Sequence, residues 1–468
     1  MNNARQSSSA APRAPGLRKA LDALSTRRIT ATALTEQALE GAEASKRTIN
    51  AFSVIDWDRA LKAAADSDRR YAEGSQRPLE GLPIGVKDLI DTKGIETRYG
   101  SAAYLGHVPA ADADIVKALV ERGAIIIGKT ATHEFALGVT TASTAYGDTL
   151  NPLDSTRIPG GSSGGAAAAI AYGAVAAGLG TDTGGSVRIP AALCGVVGFK
   201  PTFGALSTRG VFPLAPTFDH PGLLGHRVDD VVILSDAFGI EVPENDAWVS
   251  ARLGVVREVA PVPLSPEIAS AFDEAIDSLS EAFACVNVST SCLFDTVYEA
   301  FANIVLVEAS IEHFRKNDWD RIVTHYDSEI VERLERAKTM VLRDYAQAQQ
   351  TRRTFTAKLH QVMSTVDYLI LPTCPCIAPR VNAGEVRIGD WSGTVREALM
   401  TYTAPFNVAG FPAISIPLAL GDRILPAALQ IVARPGDDGA LLQIAQQMEL
   451  MLQTGVSPRA LIDVNRFF

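Results

Sequence analysis

The 468-residue chain has no block of lysine and arginine; 43 basic residues stand against 53 acidic ones, a formal net charge of −10. A surface that grips nucleic acid or an anionic membrane needs clustered positive charge, so neither partner is expected. The longest apolar run, Ala166 to Leu179, is broken by Gly173 and Gly178 and falls short of the roughly 20 residues that span a bilayer. The first 16 residues are polar and rich in Ala, Ser and Pro, without the apolar core of a secretory signal. They read as a disordered tail ahead of one domain over 17–468, in a cytoplasmic protein. Cysteine is scarce: Cys194, Cys285, Cys292, Cys374 and Cys376 make an odd count, which points to reduced thiols rather than a disulfide framework. Cys374-Pro-Cys376 is spaced more tightly than a zinc pair and has no second pair to complete a site, so no metal is expected. No internal repeat is present.

What is there is α/β patterning. Ala31, Leu34, Ala38 and Ala42 follow a Thr30 cap at helical spacing, and a second helix is expected over Trp57 to Ala72. Leu82-Pro-Ile-Gly-Val-Lys-Asp88 begins the strand-rich part, with Lys87 at a strand end; a helix over Asp114 to Arg122 leads to the strand Ala124–Ile127. Residues 123–130, GAIIIGKT, match a phosphate-loop pattern, but three isoleucines fill the would-be loop and belong in a core. Leu253-Gly-Val-Val reads as a buried strand; Ser265-Pro266 caps a helix with proline at its first position. The stretch 257–363 reads as mainly helical. Strand signals return at Tyr368, Ala413 and Ala428, and Leu441, Leu442, Ala445, Met448 and Leu452 mark a closing helix. Strands alternating with helices predict one central sheet covered by helices on both faces.

The densest signal lies at 157–202. Two glycine-flanked serines, Ser162 in Pro-Gly-Gly-Ser-Ser-Gly-Gly and Ser186 in Thr-Asp-Thr-Gly-Gly-Ser, enclose an alanine-rich run, Ala166 to Ala177, that reads as a buried helix. Glycine this dense marks backbone that turns or approaches something closely. None of the seven histidines lies in this stretch.

With Lys87 in Gly-Leu-Pro-Ile-Gly-Val-Lys-Asp, these clusters resemble the amidase signature family over about 34–449. Ala166, where the family often has serine, and Ala131, where asparagine often follows Lys-Thr, depart from its pattern outside the catalytic set. The resemblance implies one large α/β domain with a mixed sheet of roughly ten or eleven strands. It implies Ser186 as nucleophile, Ser162 as a second serine in a cis peptide, and Lys87 as base. The backbone N–H groups of Thr183, Gly184, Gly185 and Ser186 would form the oxyanion hole, buttressed by Asp182 and Arg188. The chemistry is coherent: a serine hydroxyl needs a base, a lysine serves if burial lowers its pKa, and Ile84, Val86 and Leu89 give Lys87 apolar surroundings. Lys200 reads as structural, His220 and His226 as surface or satisfied polar residues.

The expected activity is hydrolysis of small, largely apolar amides by a monomer or homodimer without cofactor, with carbamates second. Tyr99, Phe135, Tyr146, Phe212 and Trp391 are candidate pocket residues, each equally suited to a core. A rival from another class is the glutaminase subunit of a transfer-RNA amidotransferase, which must fix a charged amino acid; Arg387, Asp390 and Arg396 lie in the relevant stretch, but no motif pairs them. The other enzymatic rival is an α/β-hydrolase elbow at Gly160-Gly-Ser162-Ser-Gly164, which requires a histidine.

Overall fold

The computed structural model describes residues 14–290, 293–418 and 425–454. Most of the expected tail, and Cys292, therefore lie outside the described residues.

Among the described residues, eleven strands form one mixed sheet: β1 (Phe52–Ile55), β2 (Pro83–Lys87), β3 (Ile125–Thr130), β4 (Ala177–Asp182), β5 (Val197–Lys200), β6 (His220–Gly225), β7 (Arg252–Val255), β8 (Ala284–Asn287), β9 (Tyr368–Pro372), β12 (Ala413–Pro417) and β13 (Ala428–Val432). The remaining two, β10 (Glu385–Ile388) and β11 (Trp391–Thr394), make a separate antiparallel ribbon. The large sheet runs β1-β3-β2-β4-β6-β5-β12-β13-β9-β7-β8. β2 lies between β3 and β4, parallel to both, and every residue of these three strands is buried. Such strands read as continuous apolar or small runs because both faces are covered.

Local chemistry explains most boundaries. Thr30 accepts the Ala33 N–H at the start of the helix Ala31–Ile49, satisfying one of the first-turn donors. Pro266 opens the helix Pro266–Ser280 as expected, but the Ser265 hydroxyl makes no cap bond and is buried without a partner among the described residues. The alanine-rich segment differs more. Its helix covers Gly164–Tyr172 only, ended by Gly173 at φ 91, and from Ala177 the chain is strand. A left-handed residue is where helices commonly stop. Small residues suit both states, so composition could not place that break.

In the phosphate-loop match, Gly128, Lys129 and Thr130 continue β3 as buried strand, leaving no loop to cradle a phosphate. Strand β6 went unread because His220-Pro-Gly lacks a strand pattern; it pairs with β4 and β5. His220 is buried rather than at the surface, its Nδ1 against the Phe218 carbonyl at 2.6 Å and its Nε2 without a partner among the described residues. Lys200 is also buried, donating to the Pro201 and Phe411 carbonyls. Cys194, Cys285, Cys374 and Cys376 are free thiols. Among the described residues no helix is long and apolar enough to cross a membrane, and no metal-ligand cluster occurs.

Candidate active site

Lys87 closes β2 with no exposed surface. Its Nζ lies 2.8 Å from Ser162 Oγ and 2.7 Å from Thr181 Oγ1. Burial pushes the amine down to about 7, against the opposing pull of Asp182 and Asp219. A substantial neutral fraction therefore exists at neutral pH. Asp88 points elsewhere, accepting from Ser53 Oγ and the Arg98 N–H.

The two serine loops meet through Ser163. Its N–H donates to the Ser186 carbonyl at 3.1 Å, and its hydroxyl donates to the Thr181 carbonyl. The Gly161–Ser162 peptide is cis. Gly165 lets the helix that follows Ser163 lie against the Ala131 backbone: a Cβ there would stand 2.3 Å from the Ala131 nitrogen. No hydrogen bond joins Ser162 Oγ to Ser186 Oγ among the described residues, and no histidine bonds either hydroxyl, which removes the support the hydrolase-elbow reading requires.

Asp182 and Arg188 hold the Ser186 loop from behind. Their side chains are both 0% exposed and 2.9 Å apart. Asp182 Oδ1 accepts the Gly185 N–H at 2.8 Å, and Oδ2 accepts the Val187 N–H. Burial opposes ionisation of this carboxyl, but the Arg188 guanidinium holds it well below the usual carboxylate range. Arg188 also donates to the Thr403 carbonyl, Gln430 Oε1 and Asn407 Oδ1, and Asn407 returns a bond to the Asp182 carbonyl. Gly185 sits at φ +125, where a side chain would collide with Thr403. The Gly185 amide is thus spent on Asp182, which leaves the Thr183, Gly184 and Ser186 amides without bonds among the described residues.

Beside this loop opens a cleft of about 570 Å³ walled by Leu137, Val139, Phe301, Val305 and Leu306, with Glu329, Arg333, Arg336, Arg396 and Glu397 among its charged residues. Phe301 packs on Gly184 and the Val139 backbone on Gly161, so these two cleft-lining residues stand between the cleft and the serine loops, neither of which lines it.

None of the five aromatics expected in a pocket lines this cleft. Tyr99, Phe135 and Phe212 pack on one another and on Tyr104, Tyr326 and His313, with Phe135 and Phe212 ring centroids 5.0 Å apart and Phe135 and Tyr326 4.5 Å. They form core instead. Tyr146 donates to the Ser101 carbonyl beneath Arg98, and Trp391 sits in the β10–β11 ribbon. Of Arg387, Asp390 and Arg396, only Arg396 lines the cleft, beside Glu397 of the same stretch; Arg387 is on the surface. The sequence assigns no site role to Thr181, Ser163 or Asn407, although Asn407 is among the residues that support the family resemblance. Thr181 carried a usable signal, lying one residue before Asp182 in the same motif.

The mixed sheet thus carries a buried lysine bonded to the Ser162 hydroxyl, with the second glycine-flanked serine, Ser186, on the adjoining loop. The Amidase family model matches residues 33–442, and the chain belongs to the amidase signature family, whose members cleave carbon–nitrogen bonds. It is 34% identical over 474 aligned positions to the A subunit of glutamyl-tRNA(Gln) amidotransferase from Chloroflexus aurantiacus, covering 92% of this chain and 95% of that one. A crystal structure of an amidase superposes with TM-score 0.86 at 34% identity, covering 94% and 100% of the two chains. The structure of a vestigial protein complex bearing on the origins of an s-triazine catabolic enzyme gives TM-score 0.86 at 30% identity, covering 95% and 99%.

Proposed function

We propose that the chain hydrolyses carboxamides through an acyl-enzyme on Ser186. The observation that carries this is the sealed contact between Lys87 Nζ and Ser162 Oγ. Ser162 passes its proton to the neutral Lys87 amine while receiving the proton of Ser186, whose oxygen bonds to the carbonyl carbon. The resulting oxyanion faces the Thr183, Gly184 and Ser186 amides, donors of the kind whose loss costs about 10²–10³ in rate. Collapse breaks the C–N bond, the relay returns the proton to the leaving nitrogen, and water then cleaves the ester by the same relay in reverse. Asp182 and Arg188 act by fixing the loop.

For substrate, we take the primary carboxamide of a charged, glutamine-type molecule ahead of a small apolar amide. The near full-length likeness to amidotransferase A subunits supports it, as do the charged side chains in the cleft. A stand-alone amidase is the second reading, favoured by the likeness to a crystallised amidase. The deciding measurement is kcat/KM of the isolated chain, with and without amidotransferase partner subunits, on glutamine, an aliphatic primary amide, an anilide and an aryl carbamate. Ammonia release from glutamine is expected to lead. A leading anilide or aliphatic amide would favour the second reading, and inertness toward all four in both settings would overturn amide hydrolysis.

A further inference from the structure

The loop 183–186 is tied from two sides. Asp182 holds the Gly185 and Val187 amides from behind, and Thr403 Oγ1 donates to the Gly184 carbonyl at 2.7 Å. The other side is Thr183. Strands β4 and β6 pair antiparallel with Asp182 opposite His220, so the residues just beyond them, Thr183 and Asp219, face each other. The buried Thr183 hydroxyl donates to Asp219 Oδ1 at 2.6 Å. Asp219 is buried too and also accepts the Leu214 and Ala215 N–H groups, so its hydrogen-bond partners among the described residues are all neutral. Burial pushes its carboxyl up, against the pull of those donors. A buried carboxylate without a cation is costly, which directs attention to what this one holds. Its own loop is anchored: Thr217 gives its N–H and hydroxyl to Glu308, at 3.0 and 2.7 Å, on the helix Val297–Lys316, and Arg352 from the helix Leu342–Met363 donates to the Thr217 carbonyl at 3.0 Å. Gly184 and Gly185 have wide backbone freedom, so the direction in which the free amides point is set by ties from outside the loop.

We propose that Asp219 is a positioning residue for the oxyanion hole, acting through the Thr183 hydroxyl to aim the first amides of the loop at the oxyanion. This rests on the acyl-transfer reading of Ser186.

The test compares wild type, Thr183→Val, Thr183→Ser, Asp219→Asn and the double variant Thr183→Val with Asp219→Asn, on whichever of glutamine, an aliphatic primary amide and an anilide wild type cleaves fastest. Rates are taken above the Lys87 limb, where the charge of Asp219 on that amine no longer counts. Thr183→Val should lower kcat by about 10- to 100-fold, the scale of a misplaced rather than a missing donor, with KM little changed because the oxyanion exists only in the transition state. Thr183→Ser should restore most of the rate. Asp219→Asn should lose a similar factor and the double variant no more, since both remove one bond. Thr183→Val should keep the wild-type pH limb near 7. A loss in Thr183→Val that appears in KM alone, a shifted limb, no rescue by serine, or losses that multiply in the double variant would overturn the proposal. If Asp219→Asn does not fold, the two Thr183 variants decide it. A second readout needs no turnover: amide hydrogen exchange across 183–187 should be faster in Thr183→Val and near wild type in Thr183→Ser, and unchanged exchange in Thr183→Val would also overturn the tie. If wild type cleaves none of the amides, the acyl-transfer reading fails separately, and the exchange measurement still decides whether Asp219 holds the loop.

Discussion

Lys87 and Lys129 stand on the neighbouring parallel strands β2 and β3, and neither has any exposed surface. Burial pushes both amines down, Lys87 to about 7 and Lys129 to about 8. Their surroundings differ: both meet hydroxyls, but only Lys129 also meets a carbonyl, to which the Thr92 hydroxyl itself donates. Lys87 meets the hydroxyls of Ser162 and Thr181. Lys129 donates to the Ile90 carbonyl and to Thr92 Oγ1, and the charge of Asp88 favours its protonated form. A carbonyl only accepts, so it keeps an amine in the role of donor, whereas a serine hydroxyl both accepts and donates and can carry a proton onward. Burial makes the neutral amine accessible; the partner decides whether it serves as a base.

The largest effects should fall on the Lys87 side. Ser186→Ala should reduce kcat by about 10⁶-fold, as loss of a serine nucleophile does elsewhere, and a fluorophosphonate adduct should map to Ser186 by mass spectrometry. An adduct on Ser162 would break the assignment. Lys87→Met should cost about 10²–10⁴ in kcat, the usual share of a general base, with the far-ultraviolet circular dichroism unchanged. Lys129→Met should act on stability instead. Losing the Lys129 bonds to the Ile90 carbonyl and Thr92 Oγ1 should cost about 1–3 kcal/mol in denaturant unfolding, with kcat retained. A Lys129 variant that folds but loses turnover would erase the distinction.

Stability against pH does not separate the two lysines. An unfolded lysine holds its proton up to about 10.4, while the folded side chains release theirs near 7 and 8. Between those values the unfolded chain binds more protons, so both lysines make stability rise with pH through that window.

Much of this site was legible in sequence because its parts are local. Each glycine-serine cluster and the lysine that closes a strand is contiguous, and glycine announces a close approach. The contacts that organise them are not local. Asn407 reaches Asp182 and Arg188 across more than 200 residues. The cleft joins Leu137 to Arg333 and Arg396, which share no motif. Tyr99, Phe135 and Phe212 lie near the signature or in segments resembling the family's pocket loops, and neither that placement nor aromatic type distinguishes a wall from a core. The helix that should have run to Ala177 failed at Gly173 because alanine and glycine fit the helix and β4 equally well.

The most direct test of the lysine comparison is the pH dependence of the rate at which a fluorophosphonate acylates Ser186 in wild type, Lys87→Met and Lys129→Met. The neutral amine is the competent form, so the wild-type rate should rise with pH through an apparent pKa of about 7, and Lys129→Met should keep that limb. Lys87→Met should lose it. A limb near 7 that survives in Lys87→Met, or disappears in folded Lys129→Met, would contradict the assignment of Lys87 as the base.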